Sequence, residues 1–404
     1  MKNEMNFSLY HYTTLKSVMG ILSNYCKISL LFLLLGVSTN SYCDIIIDSI
    51  GYTLNSNNTA IVSSHYKKAS SCIIPEIINY NGINYSVTSI GNYAFHSSTS
   101  LTSVTVPNSI IHIGVGAFTY CTGLKEFIVD STNTKYTAVD GVLFDKLLNH
   151  LIAYPNTKSA NYTVPNSVTS IDNYAFYGCA SLTSVTIPNN VTYIGFDAFS
   201  YCTSLTSITI PCNINTINSE TFLGCIGLTS VVIPNSVSSI GAYAFHGCTG
   251  LTSVTIGNSV TYIANEVFSG CTNLLEVYCL SPTPSTSCND NFDYNTYNNG
   301  TLYVPIGSIN NYYTTNPWTL FYNIIEKDLT GIKSINNVQK ISTSNKSIII
   351  DNDNSNINNI NVYSHDGLLV KAITTDEKHT EIPVNKSGMY IVKTNSDTQK
   401  VIVK

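Results

Sequence analysis

The chain has 404 residues, only 11% of them charged, and a formal net charge of −5. That length allows two or three domains with a large core, and the charged share is about half that of an ordinary soluble domain. All 19 basic residues are lysines, and none lies between Ser159 and Glu326 against eight acidic residues, which excludes nucleic-acid binding and adhesion to anionic membranes through that stretch.

The N-terminus reads as a targeting segment. Lys27 precedes an apolar run from Ile28 to Val37. The run has the length of a signal-peptide core and is too short to span a bilayer. Ser41 and Cys43 place small residues at −3 and −1 of a cleavage site before Asp44. Residues 1–43 are therefore expected to be a signal peptide, with Met19 as an alternative start. Tyr42 argues against lipid attachment at Cys43. Without the leader, 16 lysines face 23 acidic residues. No other segment is apolar enough to cross a membrane, so the mature chain is expected to lack a transmembrane segment. It should be secreted, either held at the cell surface or released.

Residues 44–86 alternate apolar and polar side chains around Asn55-Ser56-Asn57-Asn58 and Asn81-Gly82, both hairpin turn signals. An N-terminal β cap is expected there. Residues 87–281 then repeat with a period of 23: Phe95 and Phe118, and after an interval Phe176, Phe199, Phe222, Phe245 and Phe268. A period of this size marks one coil of a solenoid. Leu182, Val185 and Ile187 predict a short strand that points inward, ended by Pro188, with Thr183, Ser184 and Thr186 pointing outward. Val191 and Ile194 begin a return face, and Ala198 and Phe199 follow a short helical turn. One coil cannot bury these residues alone. Stacking at ~4.8 Å per rung would put each Phe on the next and join the strands into parallel sheets.

Phe118 and Phe176 are 58 residues apart, so one coil carries an enlarged loop at 131–167. Such a loop is a candidate contact site. Residues 282–328 do not repeat, but Leu302 to Pro305 and Trp318 to Ile325 read as a packed C-terminal cap. From Leu329 the composition shifts again, and the last 76 residues hold nine lysines. Five alternating segments separated by turns predict a small β-sandwich over 329–404.

Cys121, Cys179, Cys202, Cys225, Cys248 and Cys271 each follow a repeat Phe by three residues. Metal ligands must converge on one point, whereas stacked coils put these thiols in a line. They are expected to be free, buried ladder residues. A Cys279–Cys288 disulfide is open in an exported protein. The run Asp351-Asn352-Asp353 resembles the start of a calcium loop, but Asn356 and Val362 stand where Gly and Glu are needed. No metal, cofactor or catalytic residue is expected, since neither G-x-S-x-G nor H-E-x-x-H occurs.

The repeat A-F-x-x-C-x-x-L-T-S-V-x-I-P, clearest over Val168 to Asn190, Val191 to Asn213 and Val237 to Ser259, closely resembles the BspA-like class of leucine-rich repeats. The resemblance covers roughly residues 44 to 328. Asn361 to Gly367, Ser387 to Val392 and Lys400 to Lys404 are similar to the sorting domain of the type IX secretion system. That second resemblance implies a Bacteroidota source, export by the type IX machinery through residues 329–404, and surface attachment or release. The first implies adhesion to extracellular or surface proteins or glycans. Candidate binding residues are the outward hydroxyls Thr183, Ser184, Thr186, Thr206, Ser207, Thr209, Thr252, Ser253 and Thr255, with Tyr174, Tyr193, Tyr243 and Tyr262. Two alternatives remain open at this level: a structural surface-layer or matrix component, and a hydrolase that uses Asp140 and Asp145 of the enlarged loop.

Overall fold

The computed structural model describes residues 45–65, 70–287 and 291–329, and in the C-terminal part 340–344, 347–351, 358–364, 368–375, 379–384, 388–393 and 398–403. The leader at 1–43, Cys288 and the calcium-like run after Asp351 lie outside the described residues. Among these residues no helix is long and apolar enough to cross a membrane.

The chain is a mainly β solenoid. It opens with strands Ile45–Ile47, Ile50–Leu54 and Thr59–His65 in an antiparallel meander. The hairpin Ile77–Tyr80 and Ile83–Ile90 turns at Asn81 and Gly82, both at positive φ. Ile83–Ile90 also runs parallel to Thr59–His65, so the cap passes its edge directly to the first coil.

Each coil then has three faces. The first carries the L-x-x-V-x-I strands. Ser230, Ser253, Glu276, Thr301 and Asn323 stand in one register across five parallel strands, with no shift from coil to coil. The strands of the C-terminal cap, Thr301–Pro305 and Asn323–Lys327, therefore continue the solenoid sheet. The second face uses two-residue strands such as Ser170–Ile171, Tyr193–Ile194, Ser239–Ile240 and Tyr262–Ile263.

The third face is made of turns. Within a coil they close by i→i+3 bonds, as from His246 N–H to the Tyr243 carbonyl. Between coils every second residue donates to the next. Tyr174, Phe176 and Gly178 bond the carbonyls of Phe196, Ala198 and Ser200. The alternation needs left-handed backbone twice per coil. One row holds Tyr93, Gly116, Tyr174, Asp197, Glu220, Tyr243 and Glu266; the other holds Ser97, Tyr120, Gly178, Tyr201, Gly224, Gly247 and Gly270.

The rings of Phe176, Phe199, Phe222, Phe245 and Phe268 stack with centroids 4.7, 5.5, 5.2 and 5.4 Å apart. Tyr154 and Phe292 extend the stack at either end, at 4.9 and 5.2 Å. At the N-terminal end His65 stacks on Phe95, and Phe95 on Phe118. Trp318 closes the C-terminal end against Phe292 and Phe321, with Nε1 donating to the Ser285 carbonyl.

The stretch 131–167 is itself a coil with a hairpin inserted. It contains strands Tyr136–Val139, Val142–Asp145, His150–Ala153 and Asn161–Thr163. Tyr154 takes the position of the repeat Phe. Buried Asn133 anchors the insertion: its Nδ2 donates to the carbonyls of Pro107 and Ile110, and its Oδ1 accepts from the amides of Lys135 and Tyr136. The hydrophobic core divides at this coil. Leu143 and Ala153 pack with the N-terminal half, and Val142, Phe144, Leu151 and Tyr154 with the C-terminal half.

After Leu329 two antiparallel sheets, of three and four strands, enclose Ile348, Ile350, Ile360, Val362, Ile382 and Val392. This is the small β-sandwich expected of the C-terminal residues.

Candidate functional site

The cysteine ladder is structural. Cys121, Cys179, Cys202, Cys225, Cys248 and Cys271 are all buried and free. Each thiol donates to a carbonyl of the preceding coil. Cys202, Cys225, Cys248 and Cys271 reach Phe176, Phe199, Phe222 and Phe245 at 3.2 Å each, and Cys121 reaches Phe95 at 3.1 Å. The thiols therefore act as buried donors and not only as small apolar groups. Burial pushes the Cys121 thiol up to about 12, and it raises those of Cys179, Cys202 and Cys225 too. A thiolate is the reactive and metal-binding form, so these sulfurs are chemically quiet. Cys279 is also buried. Among the described residues no group of three His, Cys, Asp or Glu could hold a metal.

The outward hydroxyls divide into two kinds. Thr183, Thr206 and Thr252 share a row with Thr229, which the sequence reading passed over. In this row Thr206 donates to the Thr183 carbonyl, Thr229 to Thr206 and Thr252 to Thr229, at 3.1–3.4 Å. These hydroxyls hold coil to coil. Thr186, Ser207 and Thr209 are exposed, and Ser184 and Ser253 are half-buried. Ser184 Oγ donates to Asn161 Oδ1 at 2.6 Å. The sheet thins at Thr206–Thr209, where a single bridge joins Ser184 to Ser207. Thr255 offers little surface: it is 8% exposed. It stands in register between Val232 and Tyr278 of the neighbouring strands.

The tyrosines separate as well. Tyr243 and Tyr262 are exposed near the C-terminal end, Tyr243 donating to Glu266 at 3.2 Å. Tyr174 and Tyr193 belong to a different place, 69 residues earlier. There Tyr93, His96, Tyr120, Tyr174, Tyr177, Phe196 and Tyr201 form one continuous set of ring contacts on the turn face. Tyr93 donates to the Tyr174 phenol oxygen at 2.9 Å, and Tyr193 donates to Asn173 Oδ1 at 3.0 Å.

Beside this set lies a cleft of about 550 Å³. Its origin is the inserted hairpin. The parallel ladder of the second face stops after His112–Ile113 and resumes at His150–Ala153. The Ile113 amide donates instead to the Tyr136 phenol at 2.9 Å. One wall is Ile113 to Thr119. The other holds His150, Asn156, Asp172, Asn173, Tyr174, Tyr177 and Tyr193. His150 Nδ1 and Asp172 Oδ1 are 2.9 Å apart. Tyr154, Asn156 and the cleft were hidden in the sequence because the insertion shifts the period.

The profile of the BspA-type leucine-rich repeat region matches the chain in six copies, over residues 48–140 and 152–281. The chain belongs to this family. No curated protein matches it. Among solved structures, it is similar to a leucine-rich cell surface protein from Faecalibacterium prausnitzii, with 23% identity over 59% of this chain and 94% of that one, TM-score 0.41. The pneumococcal vaccine antigen PcpA shares 18% identity over 71% of this chain and 99% of its own, TM-score 0.44. A leucine-rich repeat protein from Eubacterium ventriosum shares 18% identity over 58% and 92%, TM-score 0.41. These likenesses concern the repeat fold.

Proposed function

We propose that this leucine-rich repeat protein is a secreted, non-catalytic surface protein that binds protein or glycan. Residues 1–43 direct export, and 329–404 engage the type IX secretion machinery before surface attachment or release. The solenoid over 87–281 between its caps at 44–86 and 282–328 carries the binding. The observation behind this reading is the character of the lateral faces. Exposed Thr186, Ser207, Thr209, Tyr193, Tyr243 and Tyr262 lie along a stretch from Ser159 to Glu326 that holds no basic residue. Aromatic and hydroxyl surfaces bind without charge pairing. The Asp145 carboxylate of the inserted hairpin has a structural use, which argues against the hydrolase reading. Asp145 Oδ1 is spent on the amides of Asn149 and His150, at 2.7 and 2.8 Å.

A structural matrix role is the second reading. It is favoured by the Thr183 to Thr252 row, whose hydroxyls serve the solenoid itself. Titrating the full chain onto immobilised surface proteins and glycans separates the two. Saturable binding is expected; uptake that rises linearly with concentration would leave only the matrix role. Intact mass of the surface-bound protein should show loss of both ends, near Cys43 and near Leu329.

A further inference from the structure

The cleft beside the inserted hairpin lies where the regular ladder of the second face is interrupted. The chemistry it presents is narrow. Tyr174, Tyr177 and Tyr193 supply aromatic surface; Asn156 and Asn173 supply amides; His150 and Asp172 supply an imidazole and a carboxylate in contact with each other. No lysine lines it. A volume of about 550 Å³ is in the range of small-molecule sites, which commonly combine apolar or aromatic walls with a few placed polar groups.

We propose that this cleft is a binding site for a short neutral oligosaccharide. The inference rests on the surface-binding reading above and names the ligand class for one site within it. A sugar ring has an apolar C–H face and a rim of hydroxyls. The first matches a tyrosine face and the second matches amide, imidazole and carboxylate groups. An acidic sugar would meet Asp172, with no lysine in the wall to offset it.

The wall is ordered before any ligand arrives. The Tyr174 phenol is held by Tyr93, and its ring packs on Tyr177 at 5.5 Å and Phe196 at 5.6 Å. The Tyr193 phenol is held by Asn173. Asn156 Nδ2 donates to the Tyr177 carbonyl at 3.0 Å. Side chains already fixed cost little entropy on binding.

The test uses the full chain and an array of maltotriose, cellotriose, chitotriose, xylotriose and sialyllactose, with oligolysine as a cationic probe. At least one neutral trisaccharide should bind saturably. Tyr193→Ala and His150→Ala should each weaken it by about tenfold, a loss typical of a residue that matters in a site. Tyr322→Ala is the control, because it removes a fully displayed tyrosine of the C-terminal cap, outside the cleft lining; it should change affinity by less than about twofold. The proposal fails if no neutral trisaccharide binds, if sialyllactose or oligolysine binds better, or if Tyr322→Ala weakens binding as much as Tyr193→Ala. Surface preparations that bind the parent chain and both cleft variants equally would overturn the cleft and leave the surface-binding reading intact. No binding to trisaccharides or surface preparations would remove both.

Discussion

Tyr93 and Tyr174 are 81 residues apart in the chain, yet their phenol oxygens stand 2.9 Å apart. The contact is permitted by what lies between them. Gly116 occupies the same row position one coil on from Tyr93, and the Tyr93 ring lies across it. A Cβ on Gly116 would come within 2.5 Å of Tyr93 Cε1. Gly116 also has φ of +62°, where any side chain is strained.

Gly116→Ala should therefore cost about 2–4 kcal/mol, strain and displacement of the Tyr93 ring together. Urea unfolding with near-ultraviolet dichroism of the tyrosines checks it. Tyr93→Phe should cost only about 0.5–1.5 kcal/mol, the worth of one hydrogen bond. A Gly116→Ala loss no larger than that of Tyr93→Phe would contradict the steric account.

The second left-handed row gives a matched pair of substitutions. Gly247 has φ of +71°, and the nearest atom to an added Cβ is Gly224 Cα at 3.9 Å. Space is open, so Gly247→Ala reports backbone strain alone, about 1–2 kcal/mol destabilising. Ser97 fills the same position at φ of 58°. Ser97→Gly should stabilise, by up to about 1 kcal/mol, since relief of strain outweighs the entropy of a freer chain. Chemical denaturation of both variants should show opposite signs.

The parts of this fold that were legible in the sequence are those where spacing along the chain copies spacing along the solenoid axis. Phe199 lies on Phe222 because 23 residues make one coil, and Cys202 and Cys225 follow by the same rule. Where the period slips, the reading failed. Tyr154 lies 36 residues after Phe118 and 22 before Phe176, and Phe292 lies 24 after Phe268, so neither joined the ladder by counting. The Thr229 row was read as display because a hydroxyl's partner is a carbonyl one coil away, invisible to alternation. Thr255 is less exposed than its neighbours in the row for a related reason. Alternation assigns its face, but burial depends on the size of Val232 and Tyr278 beside it.

The thiol ladder predicts a sharp difference between native and unfolded protein. At pH 8 a thiol reagent should leave Cys121, Cys179, Cys202, Cys225, Cys248 and Cys271 unmodified in the native chain, because all six are buried out of its reach, and burial favours the neutral thiol at Cys121, Cys179, Cys202 and Cys225. In denaturant at least six thiols should react. Fewer than three would contradict the ladder. Cys248→Ala should cost about 1–3 kcal/mol, from lost packing and the lost bond to Phe222. Cys248→Ser should cost less, because it keeps a donor; thermal melts rank the two.

Asp197 makes stability depend on pH. It is 8% exposed, and burial pushes its carboxyl up to about 6 from the ordinary 3.8, with the nearby Glu220 carboxylate adding to the rise. The Ser200 hydroxyl, donating at 2.8 Å, opposes the shift without cancelling it. Between these two values the native chain binds a proton that the unfolded chain does not. Stability must then fall as pH rises, with the benefit complete below about pH 4 and lost through about pH 6. Asp197→Asn removes the charge and keeps an acceptor for Ser200. Its melting temperature should exceed that of the parent by a few degrees at pH 7.5, and the difference should vanish at pH 4. A gain that stayed constant across that range would mean that the carboxylate is not the titrating group, and that the substitution acts through packing.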